Sequence, residues 1–511
     1  MALTVDEFLE KIGSFKQFQW ILLGIFGYVM IIGSTFPTLI VTFLTTEPEW
    51  ICVKNSSICN FTEPIGLTSD DYEARCDMPR EEWKYVDGMT STVTEFDLVC
   101  DRSYLLVVAQ SCSWGGMLIA LFLGGYLGDR LGRKIIYYFP LAGVVLATWL
   151  IIFPKHFLVF IAGRTFIGMC AGVLDVSSFV TLTEFTNARH RSKIGVYSFN
   201  FWVAGYVILA LMGYLLPYWR NLLLASAIIS TPALGVWWFI PQSVRWLLLK
   251  NKYEQAMKQL AKVAKVNKKE MPKEEVIKPE VEQEGSFRHL FINWETTKNT
   301  LINWDVWMGA SLVYYGVSYG SVDLGWNPYL TFALTGAIEL PAYFATVWVS
   351  ERYGRKKATA LSLVFACICL TAAVMIPYEE SGKASINIIS RIILAVFAKF
   401  FLALAYACVY VWTVEMFPTF IRSMALSSGA AAAIVGSICS NYIIWLIRVH
   451  TVLPFGIMAF ICLQSSFAAM FLPETNGQAT LETMKDMGEP SPPSLNKKDQ
   501  NTCDSNEKFE L

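Results

Sequence analysis

Apolar residues recur along this chain in long unbroken runs, not in the alternating or one-faced patterns of soluble strands and helices. A helix crossing a bilayer needs about 20 apolar residues. Twelve runs reach that length, near 20–44, 104–127, 135–153, 157–182, 194–216, 221–240, 302–322, 327–349, 358–377, 386–413, 422–446 and 452–472. The fourth and tenth contain ionisable residues, and the seventh carries polar and aromatic ones. The pattern predicts an all-α polytopic membrane protein with twelve transmembrane helices, whose backbone groups are satisfied within each span. The first nineteen residues are polar and mixed in charge. The first run is too long for the apolar segment of a cleaved leader, so it reads as a span.

The polar segments between runs orient the spans. Asp129-Arg130-Leu131-Gly132-Arg133-Lys134 follows span two, Arg189-His190-Arg191-Ser192-Lys193 follows span four, and Arg352-Tyr353-Gly354-Arg355-Lys356-Lys357 follows span eight. The bias of Lys and Arg toward the cytoplasm puts these loops, the Lys- and Glu-rich segment 241–300 and both termini on that side. The opposite side has one long segment, 45–103. It carries two glycosylation acceptors, Asn55-Ser56-Ser57 and Asn60-Phe61-Thr62. It also holds Cys52, Cys59, Cys76 and Cys100, four of the twelve cysteines. In an oxidising compartment these read as two disulfides, with three connectivities open. A multi-pass glycoprotein of the cell membrane is expected.

Composition narrows the class. Hydrophobic residues make up 54% of the 511, and charged residues 16%, against about 25% charged in soluble domains. The formal net charge is −1, so no global field calls for nucleic acid. The partners expected are the lipid bilayer and a small organic ion. No Gly-x-x-x-x-Gly-Lys-[Ser/Thr] loop is present to bind ATP, and no His-Glu-x-x-His or Cys-x-x-Cys pattern suggests a metal. The four histidines lie outside span centres. Neither an enzyme nor a cofactor is expected.

The two ends of the chain echo each other. Gly128-Asp129-Arg130-Leu131-Gly132-Arg133-Lys134 recurs 222 positions later as Ser350-Glu351-Arg352-Tyr353-Gly354-Arg355-Lys356. Glu184 ends span four with Arg191 seven residues on, and Glu415 ends span ten with Arg422 seven residues on. Two matches in the same order predict a six-helix half over 1–240 with its outer loop 45–103, a cytoplasmic linker over 241–300, a second half over 301–472 and a polar tail over 473–511. A parallel repeat of this kind places substrate near the midplane between halves. Asp129, Arg130, Arg133, Glu184, Arg191, Glu351, Arg355, Glu415 and Arg422 are the expected gating residues, because topology needs the bases but not the acids that recur with them. A sensor that binds without turnover would need no gate in each half.

The loop Gly125-x-x-x-Asp129-Arg130-x-Gly132-Arg133-Lys134 resembles the loop motif of the major facilitator superfamily. More narrowly, the chain resembles its organic cation, anion and carnitine transporter branch. Glu95-Phe96-Asp97-Leu98-Val99-Cys100-Asp101 is similar to that branch's outer-loop signature, and Ile240-Pro241-Gln242-Ser243-Val244-Arg245-Trp246-Leu247 to its Pro-Glu-Ser-Pro-Arg-Trp-Leu motif. Glu415-Met416-Phe417-Pro418-Thr419-x-x-Arg422 and Leu472-Pro473-Glu474-Thr475 match later signatures. The resemblance reaches to about residue 488. It implies the major facilitator fold and transport of small organic ions by alternating access: cations or carnitine-like zwitterions, with organic anions as the alternative. Gln242 stands in place of an acid and is expected to weaken its pairing. Ile434 stands where relatives often carry a charge tied to substrate sign.

Ionisable residues inside spans are costly and so mark candidate sites. Asp175, mid-way along span four, is expected to pair with an ammonium substrate, to pair with a base on another helix, or to take a polar hydrogen-bonding role. The resemblance adds Glu339, in Glu339-Leu340-Pro341, as a cavity residue or the brace of a kink. It adds Lys399, sixteen positions before Glu415, as a counter-ion for Glu339 or Asp175, or a contact for an anionic group. Arg164 reads as structural or gating. Trp307, Tyr314 and Tyr315 of span seven supply aromatic faces for organic cations, and Trp307 and Tyr314 stand two turns apart on one face. Trp202 of span five, sharing a face with Tyr206, is a further candidate.

Overall fold

The computed structural model describes residues 3–478, apart from 55–57, 68, 70, 87, 279–285, 325 and 378–384, and apart from the side chains at 125, 126, 129, 188, 189, 191–196, 419 and 420. Asn55, the tail beyond 478 and the side chains of Asp129 and Arg191 lie outside the described residues.

Long helices follow the apolar runs. The first six are α1 Gln17–Leu44, α2 Tyr104–Leu131, α3 Arg133–Leu150, α4 Phe157–Glu184, α5 Ala188–Leu215 and α6 Trp219–Trp238. The next six are α7 Trp294–Gly320, α8 Pro328–Tyr353, α9 Arg355–Met375, α10 Ile386–Met416, α11 Thr419–Trp445 and α12 Leu453–Ala469. Among the described residues, nine helices are long and apolar enough to cross a membrane on length and composition. The others have local reasons. α3 opens on Arg133 and Lys134. α7 mixes Asn299, Asn303 and Asp305 into its apolar run, and α12 has 17 residues.

Three departures from uniform spans matter. α1 is interrupted by a π-helical turn, Ile31–Thr35, a widening often found at functional sites. α7 starts at Trp294, well before the predicted 302, because Asn293 caps it by accepting from the Thr296 amide at 2.8 Å. α8 breaks at Ile338 into Pro328–Ala337 and Glu339–Tyr353.

α2 and α3 pack on α4, while α7 packs on α11 and α9 packs on α10 and α12. Contacts between the first six helices and the last six run chiefly through α2 with α11 and α5 with α8.

The segment 45–103 adds a small β element to the all-α expectation. β1 Trp50–Cys52 pairs antiparallel with β2 Trp83–Tyr85, with Trp50 opposite Tyr85 and Cys52 opposite Trp83. The buried rings of Trp50, Tyr72 and Trp83 give it a core. Of the three connectivities, the disulfides are Cys52–Cys59 and Cys76–Cys100.

The linker is structured as well. Its helix Tyr253–Val266 packs against the short helix Val5–Ile12. Lys11 pairs with Glu274 at 2.6 Å and Arg245 with Asp6 at 2.7 Å. Asn267 donates to the carbonyls of Ile12 and Gly13, closing the end of the short helix.

Candidate functional site

The break in α8 makes Glu339 the first residue of a new helix piece, where the local dipole favours a carboxylate. Glu339 is fully buried there. Lys399 of α10, also fully buried, places Nζ 3.1 Å from Glu339 Oε1. Tyr314 donates to Oε1 at 2.7 Å and Tyr343 to Oε2 at 2.9 Å. Lys399 Nζ donates to the Tyr314 carbonyl at 3.1 Å and lies 3.0 Å from the centre of its ring. Of the partners open to Lys399, the geometry selects Glu339. Trp202 of α5 donates Nε1 to Tyr314 Oη at 3.1 Å, carrying the network across to the first six helices.

Asp175 of α4 is in a different position. The π turn of α1 presents Ser34, whose hydroxyl donates to Asp175 Oδ2 at 3.1 Å. Among the described residues no basic side chain forms an ion pair with Asp175. Its carboxyl lies near the phenols of Tyr315 and Tyr406. Among the described residues Glu339 thus has a counter-ion and Asp175 has none.

Between them lies an aromatic cluster. Tyr406 of α10 stacks on Tyr314 at 5.7 Å and meets the edge of Trp307 at 5.3 Å. Trp307 is fixed by its Nε1 bond to Thr413 Oγ1 at 2.9 Å and also contacts Tyr410 at 5.8 Å. Tyr315 lies 5.0 Å from Tyr314 and 4.7 Å from Trp114 of α2. The predicted Trp202, Trp307, Tyr314 and Tyr315 therefore come together. Tyr406, Tyr410, Trp114, Tyr343 and Ser34 join them without having been expected. Tyr406 stands two turns after Lys399, and Tyr410 one turn further, a spacing that points both rings the same way as the lysine. Arg164 is buried and donates to the Pro37 carbonyl of α1 at 2.7 Å, a tie between two helices of the same set. Among the described residues no group of His, Cys, Asp and Glu is arranged to hold a metal.

At the end bearing the basic loops, Arg133 pairs with Glu184 at 3.3 Å and Arg355 with Glu415 at 2.9 Å. Both pairs stay within one set of six helices. Arg130 and Glu351 are exposed there, and Asn476 donates to the Glu351 carbonyl at 3.1 Å. Arg422 is half-buried near the start of α11. Gly132 and Gly354 take φ of +92° and +88°, a conformation that side chains resist. They turn the chain so that α3 and α9 begin facing an acceptor from the end of each set. Glu474 accepts from the amides of Arg355 and Lys356 at 2.8 and 3.2 Å. Gln242 accepts from the amide of Lys134 at 2.8 Å. The neutral side chain therefore keeps the hydrogen bond but lacks the charge that a helix N-terminus favours. Gln242→Glu is expected to raise stability by about 0.5–1 kcal/mol and Glu474→Gln to lower it by a similar amount. Thermal unfolding of the detergent-solubilised protein checks both.

Residues 67–487 match the family model for the sugar (and other) transporters. Human solute carrier family 22 member 16 is 29% identical over 426 residues, covering 80% of this chain and 73% of that one. Mouse solute carrier family 22 member 3 is 28% identical over 542 residues, covering 95% of each. A Drosophila melanogaster organic cation transporter-like protein is 26% identical, covering 94% of this chain and 92% of its own. In fold, the chain is similar to the xylose transporter of E. coli in an inward-open conformation, with a TM-score of 0.61, 17% identity and coverage of 92% and 99%. The chain belongs to the sugar (and other) transporter family, and is a multi-span membrane transporter of the major facilitator fold, not an enzyme.

Proposed function

We propose that this transporter carries small organic cations or zwitterions across the cell membrane by alternating access. The observation that carries this reading is the unequal state of the two central carboxylates. Lys399 compensates Glu339, whereas among the described residues Asp175 has only the Ser34 hydroxyl. A carboxylate within spans and without a counter-ion is costly. A cationic substrate among Trp307, Tyr314, Tyr315 and Tyr406 would supply the missing charge, with the rings adding cation–π attraction. An organic anion would need Lys399, whose charge Glu339 already meets. The relative named as organic cation transporter-like supports the same sign. On this reading the disulfide-bearing segment faces outward with Asn60, which is exposed, as a glycosylation site. Both termini then lie in the cytoplasm. The two halves rock about the aromatic cluster, with Arg133–Glu184 and Arg355–Glu415 bracing the cytoplasmic end of each half.

The test is uptake of labelled tetraethylammonium and trimethylglycine by cells expressing the wild type and Asp175→Asn at matched surface levels. The variant is expected to raise KM for tetraethylammonium about tenfold or more, the loss of roughly 1.4 kcal/mol. Unchanged cation uptake overturns the role of Asp175. Ligand binding without accumulation in the wild type overturns transport of these substrates.

A further inference from the structure

Four polar atoms on one side of α11 are buried without a hydrogen-bond partner among the described residues: Asn441 Nδ2 and Oδ1, Trp445 Nε1 and Arg448 Nη1. Arg448 lies in the 3₁₀ turn Leu446–Arg448 that ends α11. Steps of four and three residues put the three side chains on the same side over about 10 Å. That side faces the first six helices, because Arg448 Nη2 pairs with Glu47 just beyond α1. Asn441 is 3% exposed, so its amide has neither a partner among the described residues nor bulk solvent to bond. Leaving such an atom unpaired costs about 1–3 kcal/mol. Ile434, two turns earlier on the same side, is apolar and bounds the patch.

The chemistry of the patch selects its occupant. Asn441 Nδ2, Trp445 Nε1 and Arg448 Nη1 are donors, and Asn441 Oδ1 is the single acceptor. The local charge is positive, since Glu47 is shared between Arg448 and Arg75. A group rich in acceptor lone pairs and carrying negative charge meets both conditions, and a carboxylate has this form. We propose that Asn441, Trp445 and Arg448 form a second site, between the disulfide-bearing end and the aromatic cluster, that takes the carboxylate of a zwitterionic substrate. This site rests on the organic-ion reading above and deepens it. Asp175 receives the cationic end of a substrate, and α11 reads whether an anionic end is present. Arg448 can do this without leaving Glu47, because the two contacts use different nitrogens.

The test uses the full chain in detergent and follows thermal stabilisation by butyrate, trimethylglycine and tetraethylammonium, with ionic strength held constant by chloride. Trp445→Phe keeps the ring and removes the donor, and Asn441→Leu keeps the size and removes both polar atoms. Butyrate and trimethylglycine are expected to stabilise the wild type, and each variant to weaken that response about tenfold or more, the loss of one hydrogen bond to a charged group. Tetraethylammonium, which has no carboxylate, is expected to act on all three proteins alike. If butyrate stabilises the wild type no more than chloride does, the proposal is overturned and the buried atoms are satisfied by water. An equal butyrate response in wild type and both variants overturns it too. Loss of the tetraethylammonium response in the wild type counts against the Asp175 reading and leaves the butyrate comparison standing on its own.

Discussion

Lys399→Met is expected to destabilise the protein by about 3–5 kcal/mol, because it leaves Glu339 charged in a fully buried site with no counter-ion. Glu339→Gln is expected to cost a similar amount by stranding the ammonium of Lys399. The double variant Glu339→Gln with Lys399→Met is expected to recover most of the loss, since removing both ions together also removes their desolvation penalty. The signature is the coupling between the two changes, not the size of either. Tyr314 and Tyr343 stay within reach of a glutamine oxygen at position 339, so the hydrogen-bond frame around the pair survives in part. Thermal unfolding of the four proteins, followed by size-exclusion of the surviving fraction, measures the cycle. Additive losses, with the double variant the least stable of the four, would show that the two side chains act independently.

The helices were legible because bilayer solvation leaves a crude and strong signal, long apolar runs. The places where that signal failed are informative. α7 begins eight residues before its predicted start because capping by Asn293 and helix propensity continue a helix through polar residues that hydropathy discounts. The short strands and the linker helix contacts were illegible for a different reason. They depend on pairing between positions far apart in sequence, such as Trp50 with Tyr85 and Asn267 with Ile12.

The same contrast holds at the site. Asp175 stood out because a charge inside an apolar run is rare, and Glu339 and Lys399 because the resemblance also singled them out. Which of them pair did not follow, because pairing depends on the break at Ile338 and on the helix that faces it. Ser34 left no trace in the pattern: a serine in span one is ordinary until a π turn aims it at Asp175. Tyr406 and Tyr410 were hidden in a chain with 14% aromatic residues. Only their spacing from Lys399 separates them from lipid-facing rings.

The largest effect at the disulfide-bearing end is expected from Glu47→Gln, again about 3–5 kcal/mol. Glu47 accepts from Arg75 of the loop at 3.3 Å, from the Tyr72 hydroxyl, and from Arg448 at the end of α11. All three charged side chains are nearly sealed from solvent, at 1% for Arg75, 4% for Glu47 and 8% for Arg448. Burial pushes the Tyr72 phenol up, so it stays protonated and donates at neutral pH. Two guanidinium groups therefore share one carboxylate, and neutralising the acid leaves two buried cations facing each other. Arg75 retains the face of Tyr72 at 3.9 Å, so adding Arg448→Gln to Glu47→Gln is expected to restore part of the loss. The node also joins the end of α1, the disulfide loop and the end of α11, so its loss should make separation of the two sets of helices at that end easier. A thiol placed by Thr38→Cys, next to the carbonyl that accepts from Tyr319 at 3.5 Å, reports that opening. Glu47→Gln is expected to speed its labelling by a membrane-impermeant reagent, with the other free cysteines replaced. A variant with unchanged unfolding and unchanged labelling would mean that the node neither stabilises the fold nor holds that end closed.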